Sequence, residues 1–407
     1  MGRTARGRRE PHLPRVERIE LSDSHVKVKM AAAVLLLVGG VALIVYSLVS
    51  FLSAEAGWQE IEADAGSELH CGEDFTFLYE LGKGETAVNK EKRELTALYS
   101  DAARTAYEIF NIDFEMEGIA NLWYINHHPN EEITVDLALY DAFSILSEDG
   151  GRWIYLGPAY SIYDNLFYMQ SSDGAIDFDP RLNSYIGELF QEICEFAGDP
   201  KSVNLELLGN NTVRLNVSQE YLDFAAKEEL EDFIDFYWLK NAFIADYIAE
   251  KLLSKGYARG VISSYDGFVR CLDEEGTAFT FKLYHAEGNV ITAEGSLEYI
   301  GPRSFVTFKN YPLNPRDSRR YLLLADGTVR TPYLGLEDGL DRCAIGELTA
   351  YSRDGGCAEI ALKMAFVYIA DEFRADMLDS LADAGIYSVY WEDSKFCSNG
   401  PLKLKGN

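Results

Sequence analysis

The pattern of apolar and polar positions predicts a chain in which helices and strands are interspersed. Apolar residues recur three and four positions apart over 91–110, 238–255 and 357–371, which is typical of helices with one buried face. Strand-type alternation occurs over 260–272 and in several runs between 292 and 324. We therefore expect an α+β fold, in which mixed sheets are packed against helices.

Shorter segments add detail to this prediction. Residues 134–148 predict a short strand leading into a helix, residues 182–196 a helix, and residues 382–390 a helix followed by a strand. The sequence VNLELLGNNTVRLNV holds two alternating runs around Gly209-Asn210-Asn211, which predicts a β-hairpin. An aromatic-rich stretch, WIYLGPAYSIYDNLFYMQ, occupies 153–170.

One apolar segment is long enough to cross a bilayer. Residues 30–52 form a run of 23 positions without a charge, and a helix of that length reaches ~34 Å. A basic arm over 1–29 precedes it, while acidic residues follow it, so the positive-inside rule places the N-terminus in the cytoplasm. We expect a single-pass protein of the cell membrane, with residues 54–407 on its extracytoplasmic side.

Two alternatives for this segment stay open. Ala54-Glu55-Ala56 has the small-x-small form of a signal-peptide cleavage site, but both the apolar run and the preceding arm are long for a signal peptide. A core helix of a large soluble domain can also be apolar on all sides, although the run is long for one.

Composition and charge exclude some partners. The hydrophobic fraction of 47% is typical of a packed globular protein. Against 66 Asp and Glu stand 37 Lys and Arg, and a formal net charge of -29 opposes binding to a phosphate backbone, so we expect no nucleic acid partner. The six cysteines are scattered without paired spacing, which indicates neither a zinc site nor a redox motif. The acidic run 228–236 could supply acid and base groups, but it is more typical of a solvated helix face.

Several segments together resemble one enzyme family. They include EGIANL followed by Ile125-Asn126, the aromatic stretch with SIYD, FIDFYWLKNAFIADYIAEKLLSKG over 233–256, VISSYDGFVR, RRYLLLADGTVR and GELTAYSRDGGCAEIALKMAF. Their order is similar to that of the FAD:protein FMN transferases of the ApbE type. The resemblance spans residues 73–395 as one domain, after a linker over 53–72 and before a C-terminal tail over 396–407.

The resemblance implies a fold, a chemistry and a set of residues. Enzymes of this family use FAD and a divalent metal such as magnesium to attach FMN to a Thr or Ser of electron-transfer proteins. The resemblance places Asp235, Asp246, Asp266 and Gly267 at cofactor-binding positions and Glu359 at a metal-ligand position. The alternative for Asp235 and Asp246, which their sequence context favours, is a helix cap and a solvent-facing residue.

Departures from the family pattern fall on the chemistry. Tyr237-Trp238 replace a Gly-Gly pair that lets the backbone approach the flavin closely. Asn241 replaces a lysine, with Lys240 one place early. Lys363 stands four residues after Glu359, where its ammonium competes with a metal ion for the carboxylate. Losing the metal would remove the group that stabilises charge on the transferred phosphate, so FAD and magnesium both become doubtful as cofactors.

Three functional hypotheses follow. The one that the residues favour is a catalytically degenerate, membrane-anchored relative that binds a flavin or a protein partner outside the membrane. The second is an active FMN transferase acting on an electron-transfer protein, and the third is an exterior interaction domain without a ligand. A cleft closed by Tyr237 and Trp238 would favour the third hypothesis, whereas an Asp or His near Glu359 would favour the second.

Overall fold

The computed structural model describes most of the chain from Glu55 onward, namely residues 55–64, 69–148, 150–168, 177–274, 276–288, 290–313 and 316–406. The predicted basic arm and the predicted membrane helix over 30–52 lie outside the described residues. Within the part that is described, no helix combines the length and the apolar character needed to cross a bilayer.

Seven helices lie in the first half of the described chain and three in the second half. In chain order they are α1 (Val88–Ile109), α2 (Leu122–His127), α3 (Leu137–Glu148), α4 (Gly157–Tyr163), α5 (Asn165–Tyr168), α6 (Ser184–Gly198), α7 (Gln219–Glu228), α8 (Lys240–Ser254), α9 (Cys357–Tyr368) and α10 (Asp376–Asp383). Short 3-10 turns lie at Gly72–Asp74, Arg152–Leu156, Tyr237–Leu239 and Asp317–Arg320.

Strands dominate the second half of the chain. They are β1 (Gly57–Glu60), β2 (Phe75–Leu81), β3 (Ile133–Thr134), β4 (Val203–Gly209), β5 (Thr212–Val217), β6 (Gly260–Ser264), β7 (Phe268–Cys271), β8 (Ala278–Glu287), β9 (Val290–Ile300), β10 (Arg303–Lys309), β11 (Leu322–Leu323), β12 (Val329–Arg330), β13 (Glu347–Ser352), β14 (Tyr387–Glu392), β15 (Lys395–Ser398) and β16 (Lys403–Gly406).

The main sheet has eight strands in the order β1-β2-β6-β7-β10-β13-β14-β15, and every neighbouring pair is antiparallel. Helices α8 and α9 pack against each other and against the central strands, while α1 packs on α8. All six residues of β13 are buried, because the sheet is covered on both faces there. Most residues of α8 and α9 are buried, so both helices lie in the core.

Smaller sheets complete the fold. The long hairpin β8–β9 is extended by β16, and β3 joins the hairpin β4–β5. Phe281 of β8 stacks on Phe305 of β10, with ring centroids 4.3 Å apart, which joins the β8–β9 sheet to the main sheet. The first and last strands of the domain are both paired within it, β1 with β2 and β16 with β9.

The structure confirms the α+β class and the main predicted elements. Helices α1, α8 and α9 lie where the apolar spacing predicts them. The hairpin β4–β5 is also confirmed, and Asn210 and Asn211 have φ values of 51° and 59°, as a two-residue turn with left-handed backbone requires. The prediction of a solvated helix face over 228–236 is wrong, because α7 ends at Glu228 and residues 233–236 are buried.

Candidate functional site

A cleft in the described part of the chain has a volume of about 820 Å³, which is within the range of small-molecule sites. It opens where the start of β2, the β6–β7 turn, the start of α8 and the 3-10 turn at Asp317–Arg320 meet. We call it the acidic cleft, and its lining includes Glu73, Asp74, Asp113, Tyr160, Asp164, Tyr168, Asp232, Asp235, Tyr237, Lys240, Asn241, Tyr265, Asp266, Arg316, Asp317 and Arg320.

The segment before α8 forms one wall, and a distant side chain holds it in place. Asn126 of α2 donates from Nδ2 to the carbonyl oxygen of Ile234 at 2.9 Å, and its Oδ1 accepts from the backbone N–H of Ile234 at 2.9 Å. The next N–H, of Asp235, donates to the carbonyl of Ile154. Asp235 Oδ1 accepts from the N–H of Tyr237 at 2.9 Å. Asp235 is therefore fixed at the cleft wall.

Tyr237 lines the acidic cleft, and neither it nor the adjacent Trp238 closes it. Tyr237 has φ of 42°, so it keeps a left-handed backbone at a position where the resemblance expects glycine, at a cost of about 1 kcal/mol. Its ring stacks on Tyr160 at 4.4 Å, and its hydroxyl donates to Asp164 Oδ1 at 3.1 Å. Trp238 is buried and donates from Nε1 to the Tyr160 hydroxyl. Tyr237 thus forms part of the cleft wall, and the cleft is open beside it.

Asp266 lies in the β6–β7 turn, on the opposite side of the start of α8. Its Oδ2 accepts from Asn241 Nδ2 at 3.0 Å and from Arg320 Nη1 at 3.1 Å. Gly267 has φ of 110°, and a Cβ there would lie 2.3 Å from the carbonyl oxygen of Thr307. Glycine is therefore required at 267 for the turn that presents Asp266, and Gly267 does not itself line the acidic cleft.

Asp246 lies about two turns into α8 and does not line the acidic cleft. Its Oδ1 accepts from the N–H of Cys357 at 2.8 Å and from Arg270 Nη1 at 3.0 Å, and its Oδ2 accepts from the N–H of Ala358 at 2.9 Å. Its side chain is 15% exposed, so it is not the solvent-facing residue that the sequence favours. Asp246 caps α9 from a neighbouring helix and neutralises Arg270.

Glu359 lies in the first turn of α9, where its carboxylate is held by a cation of the same helix. Lys363 Nζ lies 2.5 Å from Glu359 Oε1. Asp246 is close by, since the two carboxylates flank Gly355-Gly356. Each carboxylate already has a cationic partner, however, and no group of three His, Cys, Asp or Glu in the described part of the chain could hold a metal ion. These residues do not fit the divalent metal that the resemblance implies.

Burial shifts the protonation of the carboxyl groups in the acidic cleft. Burial, reinforced by Asp235, Glu231 and Asp113, raises the pKa of Asp232 to about 7. Burial also raises the pKa of Asp235 to about 6, although Lys240 opposes the shift. Asp232 and Asp235 can therefore exchange protons near neutral pH. The same carboxylates oppose the diphosphate of FAD, so the cleft fits a flavin in size but not in charge.

The structure separates the predicted site residues into three places. Asp235 and Asp266 line the acidic cleft, Asp246 and Glu359 flank the start of α9, and Gly267 shapes a turn. Sequence reasoning missed Asp74, Asp113 and Asp232 as cleft residues. The acidic run 228–236 contains Asp232 and was a possible signal for it. The pattern of acidic and apolar residues in this run also fits a solvated helix face, so the sequence did not identify Asp232 as a cleft residue.

The fold matches two solved structures over most of their length. The ApbE protein of Thermotoga maritima matches with a TM-score of 0.56 and 12% identity, over 86% of this chain and 96% of that chain. The flavin transferase ApbE from Vibrio cholerae matches with a TM-score of 0.52 and 12% identity, over 84% and 97%. No protein-family model and no curated protein matches the sequence. The described domain therefore has the fold of the ApbE flavin transferases, with a divergent sequence.

Proposed function

We propose that this chain is a membrane-anchored, extracytoplasmic protein that binds a flavin or a partner and does not transfer FMN. The apolar run 30–52 is the anchor, and the basic arm before it sets the orientation. The domain with the flavin-transferase fold then lies outside the membrane, where it acts as a binding protein on an inherited scaffold.

The ion pair between Lys363 and Glu359 carries the proposal. At 2.5 Å, the ammonium occupies the carboxylate that the resemblance assigns to the metal. Phosphoryl transfer relies on a cation that neutralises the charge developing on the phosphate, and an intrahelical lysine cannot move onto a substrate without leaving Glu359. The nearby Asp246 is bonded to Arg270 and to two backbone amides, so it offers no replacement ligand.

A transfer assay tests the lost activity. The full chain, purified in a nonionic detergent, is incubated with FAD, magnesium and an acceptor protein that carries a Thr or Ser target, and the acceptor's mass is measured. The flavin transferase from Vibrio cholerae serves as the positive control. We expect no FMN addition by this chain, because its metal position is occupied by Lys363. Addition of FMN in the presence of magnesium would restore the active-transferase hypothesis.

A titration and a topology experiment test binding and location. Calorimetry of the full chain with FAD, with and without magnesium, is expected to show no metal-dependent increase in affinity. Tight binding that requires magnesium would contradict the proposal.

For location, protease added to intact cells is expected to digest the domain after residue 54, and a variant with Lys27 and Lys29 changed to Glu should weaken that orientation. Protection of the wild-type domain would contradict the extracytoplasmic assignment.

A further inference from the structure

The acidic cleft has a large excess of negative charge. Eight carboxylates and three cations line it. Asp266 pairs with Arg320, and Asp317 pairs with Lys309. In the described part of the chain the other six carboxylates form no ion pair; they are Glu73, Asp74, Asp113, Asp164, Asp232 and Asp235. A concave surface of one charge sign concentrates its field, so the cleft attracts cations.

Buried oxygen atoms around the cleft also lack hydrogen-bond donors. Asp235 is 9% exposed, and its Oδ1 accepts from the N–H of Tyr237, whereas no described donor reaches its Oδ2. The Oδ1 atoms of Asn241 and Asp266, which are 4% and 8% exposed, have no hydrogen-bond partner. Native proteins rarely leave buried acceptors unbonded, so the two buried oxygens of Asn241 and Asp266, both on residues that line the cleft, indicate a ligand that brings N–H donors.

Aromatic rings lie among the carboxylates. Tyr160, Tyr168, Tyr237 and Tyr265 all line the cleft. The Arg316 guanidinium already lies 4.3 Å from the ring centroid of Tyr265, so one of these rings contacts a cation in the structure. Faces of aromatic rings attract organic cations, and combined with carboxylates they favour an alkylammonium group over a strongly hydrated inorganic ion.

The spacing of the carboxylates separates an organic cation from a metal. Magnesium and calcium need several oxygens converging to about 2.0–2.6 Å from one point. No such group of three is present in the described residues, and the carboxylates are spread over a cleft of about 820 Å³. Dispersed carboxylates match a ligand whose positive charges are also dispersed, at intervals along a flexible chain.

We propose that the acidic cleft binds a linear aliphatic polyamine, with Asp235, Asp232 and Asp113 accepting from its ammonium groups and tyrosine rings contacting its methylene and ammonium groups. The proposal rests on the binding role proposed above, and it names a ligand class opposite in charge to FAD. Lys240 lines the same cleft and makes no ion pair in the described structure, so it limits the positive charge that the cleft can take.

Calorimetric titration of the full chain with spermidine tests this proposal. We expect saturable 1:1 binding that weakens as salt is raised, and much weaker binding of butylamine, which carries a single charge. Asp235→Asn keeps the side-chain shape and the acceptor for Tyr237, and it is expected to weaken spermidine binding roughly tenfold. Asp113→Asn is the second variant. Asp113 is exposed, so this substitution removes a carboxylate charge from the cleft without altering a buried residue. Asp383→Asn, an exposed carboxylate outside the cleft, is the matched control and should bind like the wild type.

Several results would overturn the proposal. One is absence of saturable binding at millimolar spermidine. Another is an equal effect of all three variants, which would mean attraction to the acidic surface as a whole. Stoichiometric displacement of spermidine by micromolar magnesium would mean a metal site. FMN transfer is measured separately on the same preparation. FMN transfer without spermidine binding would contradict both proposals. Absence of both FMN transfer and spermidine binding would contradict the polyamine inference alone.

Discussion

Asp235 and Asp246 both lie in the segment 233–256, but their surroundings differ. In the cap region, which consists of Asp246, Arg270 and the first turn of α9, both carboxylate oxygens are bonded and the charge is balanced. In the acidic cleft, Asp235 has one bonded oxygen and several carboxylates as neighbours. A full set of partners means that an aspartate stabilises the fold, and an incomplete set in an accessible cleft means that it is available to a ligand.

The largest effect is expected from Asp246→Ala. The substitution leaves the Arg270 guanidinium without its carboxylate and removes the acceptor for two N–H groups of α9. Removing one partner of a largely buried ion pair costs several kcal/mol, and we expect a loss of about 3 kcal/mol in the free energy of unfolding. Urea denaturation measures this loss. A change below about 0.5 kcal/mol would mean that the cap region is not structural.

The next effect is a pH dependence that belongs to the acidic cleft. Asp232 and Asp235 have folded-state pKa values of about 7 and about 6, above the ordinary aspartate pKa of 3.8, so the folded state binds more protons than the unfolded state between those limits. Stability therefore rises as pH falls through that window, by about 2 kcal/mol between roughly pH 7.5 and pH 5.5. Asp113, Asp164, Glu231 and Lys240 are the charged groups that act on this pair.

Urea denaturation at several pH values measures this slope. The matched control is the double variant Asp232→Asn/Asp235→Asn, which cannot take up these protons and is expected to show a flatter dependence. Equal slopes for the wild type and the double variant would show that the two groups titrate alike in the folded and unfolded states.

The sequence predicts the elements with strong local patterns and fails where long-range contacts decide. Helix α8 follows from its apolar spacing, and the hairpin β4–β5 follows from its Asn-Asn turn. Strand β13 was not predicted as a strand, because a strand buried on both faces shows no alternation. Asp232 was not predicted at the site, because the contact that places its segment is made by Asn126, far away in the chain.

A matched pair of substitutions sharpens the comparison at a smaller scale. Asp235→Asn keeps an acceptor for the N–H of Tyr237 and removes a buried charge among other carboxylates. We expect it to change the free energy of unfolding by less than about 1 kcal/mol at neutral pH. The same change at Asp246 should cost about 2 kcal/mol, since it removes the charge paired with Arg270. Equal costs in thermal and urea unfolding would erase the distinction between the two sites.

The smallest effect is expected from Lys363→Ala. Lys363 and Glu359 are paired across one helical turn, and their side chains are 28% and 37% exposed, so solvent screens the attraction. Such pairs contribute about 0.3–0.5 kcal/mol, and the loss on substitution should shrink at high salt. Urea denaturation at low and high salt measures both quantities, with Arg93→Ala as the control for removing a charge from a helix, because Arg93 is exposed on α1 and forms no ion pair in the described structure.

The Lys363→Ala variant also tests whether Lys363 alone prevents a metal ion from binding at Glu359. Removing the ammonium leaves Glu359 beside Asp246, but the Asp246 oxygens are still bonded to Arg270 and to the N–H groups of α9. A single available carboxylate is too few for a tightly bound divalent ion, so magnesium should not raise the melting temperature of Lys363→Ala. A magnesium-dependent rise in the melting temperature of this variant, absent from the wild type, would mean that the start of α9 can bind a metal. It would also mean that a metal can displace the hydrogen bonds that Asp246 accepts from α9.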